Sequence, residues 1–138
     1  MRMSSGWARE RFAAARVARL ATVDERGRPH LVPIVFALDG AAIWSGVDAK
    51  PKSTRALRRL ANIAANPQVS VLVDHYDNDD WTQLWWARAD GLAQVHVHSA
   101  AALGLLAGRY PQYRDMPPPG PFIAIDVQRW SGWAADSG

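Results

Sequence analysis

Short apolar runs, most of strand length, alternate along the chain with turn signals and a few stretches of helical period. Ser4 or Ser5 followed by Trp7 to Arg16 predicts a capped amphipathic helix. Trp7, Ala8, Phe12 and Ala15 share one face of it, with Arg9, Glu10 and Arg16 elsewhere. Val17 to Val23 predicts a strand, and Asp24 to Arg28 a turn in which Gly27 is free to take a positive φ. His30 to Leu38 is the returning strand. Pro33 within it has no amide to donate, which marks an edge or a bulge. Asp39-Gly40 is the strongest tight-turn signal, and Ala41 to Ser45 is the strand that follows.

After the loop Gly46 to Pro51, Ser53 or Thr54 caps a helix with apolar face Leu57, Leu60, Ile63 and Ala64, ended by Asn66-Pro67. Val69 to Val73 predicts a buried strand, and the acidic stretch Asp74 to Asp80 a solvated loop. Leu84 to Val97 predicts one long strand or a pair, bent at Asp90-Gly91. Ser99 caps an alanine-rich helix to about Gly108. Pro111 to Pro121, with five prolines, predicts an extended connector, Phe122 to Val127 a last strand, and Gln128 onward a tail carrying Trp130 and Trp133. The sum is six strands with two or three helices, joined mostly by hairpins. That is a mainly β (α+β) chain, an antiparallel barrel with peripheral helices, in a single domain over 1–138. The regular strand–helix alternation of a doubly wound parallel sheet is absent.

Composition narrows the chemistry. With 138 residues, 49% apolar and 21% charged, the chain suits one soluble core. It has no cysteine, which excludes disulfides, thiolate-bound zinc, cysteine-ligated iron–sulfur clusters and a cysteine nucleophile. Met1 to Glu10 lacks a signal-peptide pattern, and no run approaches the roughly 20 apolar residues that cross a bilayer. A cytoplasmic protein with no membrane partner is expected. The net charge of +3 is modest, and much of the positive charge sits between Lys50 and Arg59.

That basic segment is the most informative. Lys50 and Lys52 in a glycine-containing loop, then Ser53, Thr54 and Arg55 at a helix start, form a setting that satisfies a phosphate. A solvated basic loop is the alternative. It is neither a Walker loop nor a dinucleotide fingerprint. In Trp85-Trp86-Ala87-Arg88, Trp86 and Arg88 share one strand face, so Arg88 either holds an anionic or carbonyl group or pairs with the loop Asp77 to Asp80. His30, His75, His96 and His98 make no metal-ligand pattern, and the acidic loop lacks the calcium pattern. That loop and the compactness of the basic cluster argue against a nucleic-acid partner.

Four pieces together resemble a known family. They are ARLATVDERGRPHLVPIVF (Ala18 to Phe36), VDAKPK (Val47 to Lys52) with the helix after it, NPQVSVLV (Asn66 to Val73) and LWWARADG (Leu84 to Gly91). In this order they resemble the pyridoxamine 5′-phosphate oxidase-like superfamily, most closely its actinobacterial branch that uses the deazaflavin coenzyme F420. RWSGW (Arg129 to Trp133) is also in keeping. The resemblance implies a split β-barrel of the FMN-binding type, and a homodimer with cofactor sites at the subunit interface. It implies F420 as cofactor, with FMN as the alternative, since the Lys-Pro-Lys loop departs from the arginine-serine-arginine-lysine style of FMN-holding members. By the same resemblance, Lys50, Lys52, Ser53 and Arg55 hold the cofactor phosphate, and Pro33, Ile34, Val35 and Phe36 run along the ring. Trp44 and Ser45 sit beside the phosphate and ribityl chain, and Trp86 and Arg88 reach in from a neighbouring strand. Arg58 and Arg59 guide the polyglutamate tail of F420. The implied activity is hydride transfer between F420 and a small organic substrate.

Overall fold

The computed structural model describes residues 1–47 and 54–136, with side chains in the helix that opens the second segment described from Arg58 onward. In chain order the elements are β1 (Arg2–Met3), α1 (Ser5–Ala14), β2 (Ala18–Val23), β3 (Pro29–Ile34), β4 (Ala37–Asp39) and β5 (Ala42–Gly46). Then come α2 (Thr54–Ala65), β6 (Gln68–His75), β7 (Trp85–His96), α3 (Ala100–Arg109), α4 (Gln112–Asp115) and β8 (Phe122–Ala134). The described strands form one antiparallel sheet in the order β3-β2-β6-β7-β8-β5-β4, with β1 paired to β8.

The two ends of this sheet, β3 and β4, are consecutive in the chain and separated only by Val35 and Phe36. Laid flat, six strand spacings would put them about 29 Å apart. Three Cα–Cα steps reach only about 11 Å. The sheet must therefore curl until its edges meet at this corner. It is a split barrel: rolled, mainly antiparallel, but not hydrogen-bonded closed.

The roll has an apolar inside. Leu20, Ile43, Val71, Val73, Ala87, Ala89, Ile123 and Ile125 point inward, and Phe12 of α1 and Phe36 of the corner pack with them. Phe12 lies edge-on to Phe36 at 5.9 Å and to Trp130 at 5.2 Å. Ser4 caps α1 by accepting from the Trp7 amide. A second cluster forms where α3 and α4 cover β4 and β5, through Ala102, Leu106, Tyr113, Ala37 and Phe122. No described helix is long and apolar enough to cross a membrane.

Four sequence expectations need correction. The strands number eight rather than six among the described residues. His30 to Leu38 is divided by the corner into β3 and β4, and Arg2–Met3 adds an edge strand on Trp133 and Gly132. Residues after Gln128 are not a tail, because β8 runs on to Ala134. Its alternation is interrupted by a bulge: Gly91 pairs with Val127 but Asp90 with Arg129, so Gln128 is the extra residue and the in–out parity resets. Finally, Pro111 to Pro121 contains the turn of helix α4, which Pro111 opens without losing a needed amide bond. On α2 the buried face includes Ile63 and Asn62, whereas Ala64 is exposed. Asn62 is tolerated inside because its amide donates to the buried Thr22 hydroxyl at 3.1 Å.

The bulge also fixes Gly91, since a Cβ there would collide with the Asp126 carbonyl. Gly91→Ala is expected to lower unfolding stability by about 1–3 kcal/mol through this overpacking. Urea denaturation measures it, and a change below about 0.5 kcal/mol would show that the strands separate easily there.

Candidate functional site

The corner is held from outside the barrel. The Phe36 amide donates to the Tyr110 hydroxyl at 3.0 Å. That hydroxyl lies 2.8 Å from the Phe36 carbonyl and 3.0 Å from the Arg16 carbonyl, and its one proton serves either. The buried Ser45 hydroxyl donates to the Val35 carbonyl at 2.9 Å. Arg109 places its guanidinium 5.0 Å from the centre of the Phe36 ring and donates to the Ala15 carbonyl. Trp44, on the other face of β5 from Ser45, packs beside Val35 against α3 and lies 5.3 Å from the His96 ring. The structure thus brings Val35, Phe36, Trp44 and Ser45 together. Ile34 is buried and Pro33 exposed on the adjoining edge strand. Pro29 and Pro33 lie four residues apart on the same face of β3, so this edge lacks two amide donors, and no further strand pairs with it among the described residues.

The outer face of the sheet carries the second group. Pro33 pairs with Arg19, Arg19 with Leu72, Leu72 with Arg88 and Arg88 with Ser131, which makes one row across five strands. Arg88 lies on the same outward face as Trp86, 5.8 Å from its ring centre. It does not pair with the loop Asp77 to Asp80, one of the two expectations for it. Its Nε donates to Asp90 Oδ2 at 3.0 Å, and the Ser70 hydroxyl donates to Asp90 Oδ1 at 2.6 Å. Arg19 faces Asp74 at 3.7 Å with both side chains about half exposed, a pairing worth little in water. Next to this row lies an open groove of 460 Å³ lined by Ala21, Val23, Ser70, Asp90 and Leu92.

The two groups are apart within one chain. Trp44 pairs with Ala124 and Arg88 with Ser131, so about 20 Å of β8 separates the two levels. Lys50, Lys52 and Ser53 lie outside the described residues. Arg55 falls in the first turn of α2. A separate cleft of 480 Å³ between the β2–β3 turn and α2 is lined by Arg26, Arg28, His30 and Arg58. There the amide of Arg28 is the main cause holding the Asp24 carboxyl below the usual carboxylate range. No three His, Asp or Glu side chains converge as a metal site among the described residues. Sequence reasoning missed Tyr110, Ser70 and Asp90. For the last two a signal existed: Asp90 shares the parity of Arg88, and Ser70 is the one polar position in a strand otherwise apolar from Val69 to Val73.

A curled, open antiparallel sheet with an exposed edge strand and a helix start beside a basic segment defines a split β-barrel. The chain belongs to the pyridoxamine 5′-phosphate oxidase family, whose profile matches residues 7–134. No curated protein matches it in sequence. Among solved structures it is similar to a FAD-binding protein of Mesorhizobium loti, with 22% identity, a TM-score of 0.72, and 96% and 95% of the two chains covered. It is similar to the FAD-binding protein of Mycobacterium smegmatis at 18% identity and a TM-score of 0.65, covering 96% and 97%. It is also similar to the haem storage protein of Vibrio cholerae at 18% identity and a TM-score of 0.67, covering 94% and 92%. At these identities the likeness is one of fold.

The corner's hydrogen bonds are testable. Tyr110→Phe leaves the part-buried Phe36 amide without its acceptor and is expected to cost about 1–3 kcal/mol. Ser45→Ala is expected to cost about 1 kcal/mol by the same reasoning at the Val35 carbonyl. Equilibrium urea unfolding measures both, and wild-type stability in Tyr110→Phe would remove the corner's proposed anchor.

Proposed function

We propose that the protein is an oxidoreductase that binds a phosphorylated flavin-class cofactor, F420 ahead of FMN, and passes hydride between it and a small organic substrate. Membership of the family carries this reading, since its profile spans nearly the whole chain. Two structural neighbours are FAD-binding proteins, which supports a flavin-type ligand. The preference for F420 rests on the resemblance of Val47 to Lys52 and its neighbours to the F420-using branch.

The chain's own groups fit such a ligand. The first turn of α2 presents backbone amides that have no partner within the helix, and Arg55 belongs to that turn. With Lys50, Lys52 and Ser53 just before it, the donor set suits a phosphate. Pro33 and Ile34 offer an edge strand for the flat ring. Val35 and Phe36 have their carbonyl and amide engaged by Ser45 and Tyr110, so they brace that edge more than they contact the ligand. When bound, the deazaflavin supplies the hydride. The protein's contribution is to hold it, orient it and exclude water.

The protein acts as a homodimer in this reading. Trp86 and Arg88 lie about 20 Å along β8 from the level of Trp44, so a site that uses both groups takes them from two copies. The apolar outward residues Leu31 and Leu92 give that face surface to bury. A second reading keeps the fold without turnover, as a carrier of F420 or haem. The likeness to a haem storage protein favours testing it.

The deciding experiment titrates the purified protein with F420 and FMN side by side, following fluorescence. F420 is expected to bind at micromolar concentration or tighter and to exceed FMN, and Lys50→Ala with Lys52→Ala to weaken it at least tenfold. No detectable F420 binding overturns the F420 reading. A yellow protein as purified points to FMN, and a Soret band to haem. Light scattering is expected to give twice the 15.2 kDa chain mass, and a monomer at micromolar concentration would remove the shared site.

A further inference from the structure

We propose that Arg88, Ser131, Trp86 and Trp133 form a subsite for an aryl carboxylate on the outer face of β7 and β8. The inference names a substrate class for the function above. It rests on that reading only in treating the ligand as a substrate.

Four observations converge on this patch. First, register places the four side chains together. Arg88 is directly opposite Ser131, and Trp86 directly opposite Trp133, two residues along. Directly opposed Cβ atoms lie about 5 Å apart. Their neighbours Ala87, Ala89, Gly132 and Ala134 are buried on the inner face, so these four point outward.

Second, the guanidinium is aimed. Asp90 takes the Nε hydrogen through one oxygen, and its other oxygen is fixed by the Ser70 hydroxyl. The described residues supply no acceptor to the two terminal nitrogens of Arg88. Those nitrogens present a planar fork that matches a carboxylate. Third, the Ser131 hydroxyl oxygen is shielded from water and has no hydrogen-bond partner among the described residues. A buried hydroxyl in that state is uncommon, and its residue is the direct cross-strand partner of Arg88. Fourth, the surroundings are flat and apolar. Arg88 lies over Trp86, Trp133 is 37% exposed, and Leu72 is opposite Arg88 on the other side. One oriented cation within an aromatic surround recognises a flat apolar body that ends in a carboxylate.

Asp90 has two opposing effects in this arrangement. Its hydrogen bond positions Arg88, while its charge repels an incoming anion. Changing it to Asn keeps an acceptor for Nε and removes the repulsion. Changing it to Ala removes both. A merely structural role for Asp90 gives no reason for Asp90→Asn to bind an anion more tightly than wild type.

The test uses the full chain and benzoate as probe, followed through the indole N–H resonances of Trp86 and Trp133 in 15N-labelled protein. Trp86→Phe and Trp133→Phe identify the two signals. Benzoate is expected to shift both at low millimolar concentration, and benzamide to bind at least tenfold more weakly. Arg88→Lys, which keeps charge but loses the fork, is expected to weaken benzoate at least tenfold. Asp90→Asn is expected to tighten it about threefold, and Asp90→Ala or Ser70→Ala to weaken it. The same spectra report whether each variant is folded.

Unshifted indoles overturn the proposal. So does equal binding of inorganic phosphate and benzoate, which would mean a general anion patch, or unchanged affinity in Arg88→Lys. F420 binding without benzoate binding removes the subsite and leaves the oxidoreductase reading standing. Benzoate binding without F420 binding leaves the subsite standing and overturns the F420 reading.

Discussion

Two residues, Val35 and Phe36, must join the opposite edges of a rolled sheet. This short link forces the curl, and the curl makes the inside of the barrel a core that Phe12 and Phe36 can fill. A link this short leaves little freedom for the backbone polar groups within it. They are satisfied from two sides, by Ser45 on the neighbouring strand and by Tyr110 just beyond α3. The position of α3 follows. Arg109 and Tyr110 reach Ala15, Arg16 and Phe36 together, so one helix end ties the entry to β2 and the corner to the same point.

Most elements were legible in the sequence because their signals are local. Gly27 and Gly40 take positive φ in the turns expected of them, and Ser4 and Ser99 cap helices as their spacing predicts. What was not legible depends on partners far away in the chain. Pro33 marks an edge or a bulge within His30 to Leu38 but not that the strand breaks after Ile34; the break exists because its two halves belong to opposite edges of the sheet. The extension of β8 to Ala134 was hidden by one inserted residue, Gln128, which reverses the parity on which strand reading relies. The site divides in the same way. The pairing of Trp86 with Arg88 on one face follows from period two, but the acceptor for Arg88 does not. Asp90 beat the acidic loop because it is two residues away on the same face, a distance fixed by the strand itself. In the loop, the Asp77 and Asp80 carboxylates instead accept from the amides of Asp79, Asp80 and Thr82. Lys50, Lys52 and Ser53, the strongest signal in the sequence, lie outside the described residues, so their chemistry still rests on sequence and family.

The charged groups on the outer face share one design. Arg88 is braced by Asp90 and Ser70, and Arg19 stands beside Asp74. Neither carboxylate neutralises its partner in the manner of a buried pair, since all four side chains keep contact with water. The difference between them is geometric. Arg19 and Asp74 meet at 3.7 Å without a hydrogen bond, whereas Arg88 and Asp90 meet at 3.0 Å with the carboxylate held a second time. Holding a long side chain still has an entropic cost of about 2 kcal/mol at most. Arg88 meets it in the folded chain, before any ligand arrives, and so gains pre-organisation.

That distinction bears on how one fold serves different ligands. The barrel core, the corner and the tie through Tyr110 concern stability, and nothing in them selects a cofactor. In the proposed function, selection falls to groups that the core does not need: the basic segment before α2, the edge at Pro29 and Pro33, and the aimed guanidinium of Arg88. Trp44 beside the corner and Arg88 sit on different levels of the sheet, about 20 Å apart along β8. In the proposed homodimer, a ligand that meets both Trp44 and Arg88 takes them from two copies. The same separation leaves each half free to change without disturbing the other, because substitutions with no shared partner at that range act independently. Under the proposed function, affinity for the phosphate and choice of substrate are thereby separable, the first assigned to the segment before α2 and the second to the outer face of β7 and β8.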